Sequence, residues 1–202
     1  RAVHIAAPHG IPILGINMGR VGFMTELAAS EALNSVAAYL GGDVRVEERA
    51  MLQARILSPH ARGREQQGSE PLHALNEVVI GSGGAARMVA IEVGIDGVRF
   101  TVYHADSVIV ATATGSTGYA LSAGGPILHP LSGDMLLKPV AAQLGFASAL
   151  VLPPNTRVEL GVDSDHPTIL SVDGFVERSL EEGSRVAVET SPYQARFLRR
   201  HP

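Results

Sequence analysis

The stretch Met88–Tyr103, MVAIEVGIDGVRFTVY, reads as two half-buried strands joined by a two-residue turn. Apolar and polar residues alternate on both sides of Asp96-Gly97, and Asp-Gly is the dipeptide that a type I′ hairpin demands, because both central residues need positive φ. The same signature returns at Asp173-Gly174, between TILSV and FVERS. Around these hairpins, segments of strand length follow one another from Val44 onward. They are Val44–Arg49, Met51–Leu57, Leu72–Ile80, Met88–Ile95, Val98–Tyr103, Ser107–Ala111, Thr156–Val162, Thr168–Val172 and Val186–Glu189. That succession predicts a mostly β lobe. Ser58–Glu70, SPHARGREQQGSE, is polar and reads as an exposed loop.

Upstream of Val44 the pattern is α/β. Ile11–Ile16 is a short apolar run that suits a buried strand, and a Gly-punctuated loop follows over Asn17–Gly22. A helix is then expected, capped by Ser30, with Leu33, Val36, Ala37 and Leu40 on one face and Gly41-Gly42 at its end. The chain opens on the helix-like AVHIAA. One strand and one helix do not make a doubly wound sheet, so the first elements of this lobe are expected upstream of Arg1. The expected division is 1–43 for the rest of an N-terminal α/β lobe and 44–190 for the β-rich lobe. Residues 191–202 should form a segment returning to the first.

Composition narrows the chemistry. With 202 residues, 46% of them hydrophobic and 18% charged, the chain is that of a soluble globular protein. No run approaches the roughly 20 apolar residues of a membrane span, and no secretion signal is evident, so a cytoplasmic location without membrane partners is expected. The absence of Cys excludes thiol nucleophiles, iron–sulfur clusters and disulfide frameworks. Sixteen basic against 20 acidic residues, a net charge of −4, argues against a nucleic-acid partner held by phosphate neutralisation. An anionic ligand must be met by local Arg side chains, helix N-termini or Gly-rich backbone. The eight His residues show no H-E-x-x-H and no cluster, and no Ser lies in G-x-S-x-G, so neither a histidine metal site nor a serine hydrolase is supported.

The densest signal is Asp106–Pro130, DSVIVATATGSTGYALSAGGPILHP. A buried strand runs into a loop crowded with Thr, Ser and Gly, whose hydroxyls and N–H groups can surround a sugar or phosphate. Composition alone leaves a ligand loop and a plain tight connection equally open. Its length, the flat ring of Tyr119 and the fixed acceptor Asp106 favour a ligand. GINMGRVGF, residues 15–23, follows a strand but lacks the G-x-G-x-x-G spacing, and no P-loop motif occurs, so these glycines read better as structural. Asn76-Glu77 interrupts the apolar LHALNEVVI. Such a pair must be hydrogen-bonded at a sheet edge or face a site, and the residues leave both open.

These segments, in this order, resemble the NAD kinase family. The blocks are GINMGRVGFMTEL, GDVRVEERAML, LNEVVIGSGGAARM, the long Asp106–Pro130 segment and LSVDG, and together they span nearly the whole chain. The resemblance implies an α/β plus all-β architecture: an α/β nucleotide lobe followed by a β-sandwich-like lobe. It also implies phosphoryl transfer from ATP or polyphosphate, with a divalent metal ion (Mg or Mn), onto the 2′-hydroxyl of the adenosine ribose of NAD to give NADP.

By the same resemblance, Asn76 and Glu77 hold the adenosine half of the dinucleotide and Arg87 lines the site. Asp106 reaches the nicotinamide half, often from a neighbouring subunit, so a homodimer or homotetramer is expected. Thr117, Gly118, Tyr119, Ala120, Leu121 and Ser122 surround the adenine and its ribose. The family's Gly-Gly-Asp-Gly motif, with the catalytic Asp, belongs just before Arg1. Gly41-Gly42-Asp43 does not replace it, because it comes after GINMGRVGF and lacks the next Gly. Phe175 stands where Gln is common, His104, still counted among the dinucleotide-binding residues, where Lys or Arg is frequent, and Ala113 where Pro is usual. One rival reading is a non-catalytic dinucleotide-binding or assembly module. Another is a lipid kinase of the related diacylglycerol-kinase-like fold, against which the polar TGYALS loop argues, since a lipid acceptor needs an apolar groove.

Overall fold

The computed structural model describes residues 1–19, 24–42, 44–57, 69–84, 87–143 and 146–200. Residues 20–23 of the GINMGRVGF segment, Asp43, and 58–68 of the polar loop lie outside the described residues. The chain divides into two units, Arg1–Arg49 with Tyr193–Pro202, and Ala50–Pro192.

In the first unit, α1 (Ala2–Ala6) leads through a 3₁₀ turn to Gly10, and β1 (Ile16–Asn17) pairs in parallel with β2 (Leu27–Ala28). The strand expected over Ile11–Ile16 is thus reduced to its last residue plus an isolated bridge between Ile13 and Phe197. Pro12 has no N–H to give to a ladder, and the Gly15 carbonyl is taken by the N–H groups of Glu26 and Leu27. α2 (Ala29–Leu40) ends at Gly41, as its glycines predict. Its N-cap is Ala28, not Ser30, and makes no side-chain cap. Leu33 and Leu40 are 93% and 83% exposed, contrary to the expected face. The inward stripe is instead the half-buried Ala32, Ser35 and Val36 with the buried Tyr39, because Tyr39 brings the largest apolar surface and its hydroxyl donates to Glu26 Oε1 at 3.1 Å. Arg199, Glu26, Glu47 and Arg49 form a nearly buried ion network. Burial works against the Glu47 carboxylate, but bonds and charges from Arg49 and Arg199 prevail and hold its pKa below the ordinary value.

The second unit is a β-sandwich. Chain order is β3 (Arg45–Leu57, entering from the first unit), β4 (Leu72–Ala74), β5 (Glu77–Ser82), β6 (Val89–Ile95), β7 (Val98–Ala105) and β8 (Ser107–Ala111). After the short α3 (Tyr119–Ser122) come β9 (Met135–Val140), β10 (Leu150–Leu152), β11 (Val158–Val162), β12 (Thr168–Val172), β13 (Val176–Leu180) and β14 (Arg185–Arg199). One sheet runs β10-β9-β8-β5-β12-β13, with every pairing antiparallel; the other runs β4-β3-β14-β11-β6-β7. Both Asp-Gly turns form as predicted, with positive φ at Asp96, Gly97, Asp173 and Gly174. Val78, Ile80, Val108, Val110, Leu137 and Leu170 of the first sheet meet Ile91, Val93, Leu160 and Val186 of the second in one dry core.

Several segments depart from the sequence reading. Val44–Arg49 and Met51–Leu57 fuse into β3, and Val186–Glu189 is the start of a strand that continues to Arg199. β9 was not anticipated: it is buried on both faces, so it shows no alternation, and it carries Pro139. Leu72–Ile80 is not one strand but two, β4 and β5, which belong to different sheets. The break falls at Leu75-Asn76 and is locked by Gly115, where an added Cβ would stand 2.1 Å from the Asn76 carbonyl oxygen. Gly115→Ala is therefore expected to destabilise the fold by about 1–3 kcal/mol through overpacking, read as a lowered midpoint in urea unfolding followed by circular dichroism.

Candidate functional site

The corner between β4 and β5 has all its main-chain groups engaged. The Asp173 carboxylate accepts three consecutive N–H groups, from Leu75 (2.8 Å, Oδ2), Asn76 (2.7 Å, Oδ1) and Glu77 (3.1 Å, Oδ1). The carbonyls are matched one by one: Leu75 O accepts from Thr112 Oγ1 at 2.6 Å, Asn76 O from the Thr112 N–H, and Glu77 O from the Asp173 N–H. Thr112 Oγ1 in turn accepts the Gly115 N–H at 3.0 Å. The backbone at Asn76-Glu77 is thereby fixed without use of either side chain. Glu77 Oε2 is buried and has no hydrogen-bond partner among the described residues. It faces Gly118, whose Cβ, were there one, would lie 3.5 Å away. Burial first, and the Asp173 charge second, push the Glu77 carboxyl up to about 7.

Register builds the neighbouring pocket. Val79 pairs with Ile109 and Ser171, and Ser171 with Glu177, so these residues form one row on the outer face of the first sheet. Over Ile109, Ala111 and Leu136 that face is covered by Ala120 and its neighbours, in a small apolar cluster of their own. This is why SVIVA is buried on both sides. Beyond the cover, the row opens into a pocket of about 350 Å³ in which Arg87, Asp106 and Tyr119 line the walls with Ser107, Ser171 and Glu177. Tyr119 is 43% exposed, its hydroxyl 3.5 Å from Ser107 Oγ.

The structure therefore gathers Arg87, Asp106 and Tyr119 in one cavity, and Glu77 against Gly118 beside it. Ala120 is buried beneath the segment, whereas Leu121 and Ser122 are exposed on it, and Thr117 Oγ1 bonds the Thr114 carbonyl. His104 is exposed on β7 and does not line the pocket. Sequence reasoning missed Ser107, Ser171 and Glu177. Their signal was the strand parity that brings them into line with Val79 and Gly81, which becomes usable only once strand order is known. It also missed that Thr112 and Asp173 hold the corner. Among the described residues no three His, Asp or Glu side chains converge on a metal-sized space, and both Asp173 oxygens already accept N–H groups.

Comparison with known proteins decides the family. Residues 1–44 match the model of the ATP-NAD kinase N-terminal domain and residues 75–200 that of the C-terminal domain. The chain belongs to the NAD kinase family. It is 40% identical over all 202 residues to the NAD kinase of Dehalococcoides mccartyi, spanning 69% of that protein, and 39% identical to that of Chloroflexus aurantiacus, spanning 71%. Among solved structures it resembles yeast NADH kinase complexed with NADH (TM-score 0.84, 25% identity, 95% of this chain and 55% of that one). It also resembles an NAD kinase from Archaeoglobus fulgidus in complex with ATP (TM-score 0.77, 27% identity, 94% and 69%). The family resemblance read from the five sequence blocks and the α/β plus β-sandwich architecture are both borne out, and the matches favour a kinase over a non-catalytic module. No helix among the described residues is long and apolar enough to cross a membrane.

The raised Glu77 carboxyl gives this NAD kinase chain a pH signature. Between its ordinary value of 4.5 and about 7, Glu77 in the folded protein keeps a proton that the unfolded chain has released, so stability falls as pH rises through that window. Glu77→Gln removes the charge and keeps the shape. Its melting temperature is expected to exceed the parent's at pH 8, with the gap closing at pH 5, as scanning calorimetry at the two pH values will read.

Proposed function

We propose that this protein is an NAD kinase and that residues 50–192 hold the acceptor. In the reaction the adenosine 2′-hydroxyl oxygen of NAD attacks the terminal phosphorus of ATP, or of polyphosphate. The bond to the leaving phosphate oxygen breaks, and the hydroxyl proton passes to a base, giving NADP. The observation that carries this reading is the fixed Asn76-Glu77 corner lying against the Gly118–Tyr119 segment. An acceptor-only carboxylate and an amide held on an immobile backbone suit the hydroxyls of a ribose, while Tyr119 offers a base its flat face. Arg87 and Asp106 supply further polar contacts, and Asp106 serves a neighbouring copy in a homodimer or homotetramer. The divalent ion arrives on the donor's phosphates. Such chemistry belongs in the cytoplasm, where NAD and ATP are at hand.

In this reading the base sits on the Gly-Gly-Asp-Gly motif that the family resemblance assigns upstream of Arg1. A polypeptide confined to residues 1–202 is therefore expected to bind NAD in calorimetry yet yield no NADP above a blank with ATP and magnesium. Turnover at a normal kinase rate would overturn that assignment and direct the search for a base to Asp43, Asp106 and Asp173.

The loop assignment has its own test. Stacking of a base on an aromatic ring is worth about 1–3 kcal/mol, so Tyr119→Ala should weaken NAD binding by roughly 5- to 150-fold. Tyr119→Phe should keep the stacking contribution. A folded Tyr119→Ala that binds NAD as the parent does would remove adenine from this loop.

A further inference from the structure

The Asp173-Gly174 dipeptide reads from sequence as a hairpin turn and nothing more, and the turn indeed forms, with φ of 50° and 69°. A turn does not need the aspartate carboxylate, however. Here that carboxylate leaves its own hairpin, crosses to the β4–β5 corner and accepts the N–H groups of Leu75, Asn76 and Glu77. Three donors on one carboxylate are charge-assisted and short, and they converge on the two residues whose side chains the acceptor reading needs. We propose that Asp173 is a positioning residue for dinucleotide binding, its carboxylate setting the direction in which the Asn76 and Glu77 side chains leave the backbone. The proposal rests on the reading of Asn76-Glu77 as dinucleotide contacts.

Asp173 has a second effect on the same pair, which distinguishes positioning from simple support of the fold. Its negative charge opposes ionisation of Glu77. The other elements around Glu77 carry little charge. β8 presents Ala111 directly opposite, the 115–122 segment presents Gly118 and the phenol of Tyr119, and Glu177 of β13 stands one row further along the sheet. Glu77 receives hydroxyl donors as a carboxylate, so dinucleotide affinity should rise with pH through the neutral range and the binding reaction should release a proton there. If Asp173 is removed, the inflection moves to lower pH as well as the affinity falling, a pair of changes that mere loosening of a turn does not produce.

The experiment is calorimetric titration of NAD into the full chain from pH 5.5 to 8.5, for the parent, Asp173→Asn and Glu77→Gln, each checked by its melting curve. The parent should bind more tightly as pH rises, with a midpoint near 7. Asp173→Asn loses the charge and turns an amide donor toward one of the three N–H groups. It should weaken binding at pH 8 roughly tenfold, the equivalent of one charge-assisted hydrogen bond, and its midpoint should lie below the parent's. Folded Asp173→Asn with parental affinity and an unmoved midpoint, while Glu77→Gln binds weakly, overturns the proposal alone. Folded Glu77→Gln with parental affinity at every pH overturns instead the reading of the pair as dinucleotide contacts. Should Asp173→Asn fail to fold, Gly174→Ala carries the test, since a Cβ at φ 69° strains the turn and shifts a carboxylate that remains charged. Weakened NAD binding supports positioning, and unchanged affinity in that folded variant overturns it.

Discussion

A chain that passes from one sheet of a sandwich to the other must satisfy the main-chain groups it frees at the crossing, and here that crossing is Leu75-Asn76-Glu77. Three N–H groups end on the Asp173 carboxylate and three carbonyls end on Thr112 and the Asp173 N–H. Each unmade bond in such a place would cost on the order of 1–3 kcal/mol, so the corner leaves the backbone little freedom. Much of the candidate site follows from it. Gly115 must be glycine because the loop after β8 comes back against the Asn76 carbonyl, and that return starts the segment which covers the outer face of β8 and β9 and carries Tyr119 to the pocket rim.

The satisfied backbone stands beside an unsatisfied side chain. Glu77 is half-buried with its Oε2 enclosed against Gly118, unpartnered among the described residues and with a second carboxylate nearby, an arrangement that lowers stability above neutral pH. Natural cores keep such groups where a ligand completes them. In the proposed reading that ligand is the dinucleotide, and a ribose hydroxyl is the donor for that oxygen.

What the sequence revealed and what it concealed divide along physical lines. Both Asp-Gly hairpins were legible because positive φ at two adjacent residues has few chemical solutions. Strand existence was legible where one face is wet, as in β6 and β12, and illegible in β9, which is covered on both faces and contains Pro139. In α2, periodicity named Leu33 and Leu40 as inward, whereas the hydroxyl of Tyr39 and its bond to Glu26 rotate the stripe to Ala32, Ser35, Val36 and Tyr39. Of the candidate site, Asn76-Glu77 and the Tyr119 segment stood out as polar or small residues in the wrong company. Ser171 and Glu177 did not, because their place depends on which strand lies next to which, and Asp173 was hidden by a turn role that already explained it.

The two units are not consecutive in the chain. The first is assembled from Arg1–Arg49 and Tyr193–Pro202, joined by the Ile13–Phe197 bridge and by Arg199 against Glu26 and Glu47. During synthesis, then, the opening residues leave the ribosome long before the segment that completes their network exists. Glu26 and Glu47 must wait for Arg199, some 150 positions behind the second of them. The sandwich, whose residues are contiguous, can close before that late segment is complete. Loss of Phe197 and Arg199 would thus leave the sandwich's contiguous core whole and strip the first unit of its late partners, exposing to proteolysis residues that were made well before them.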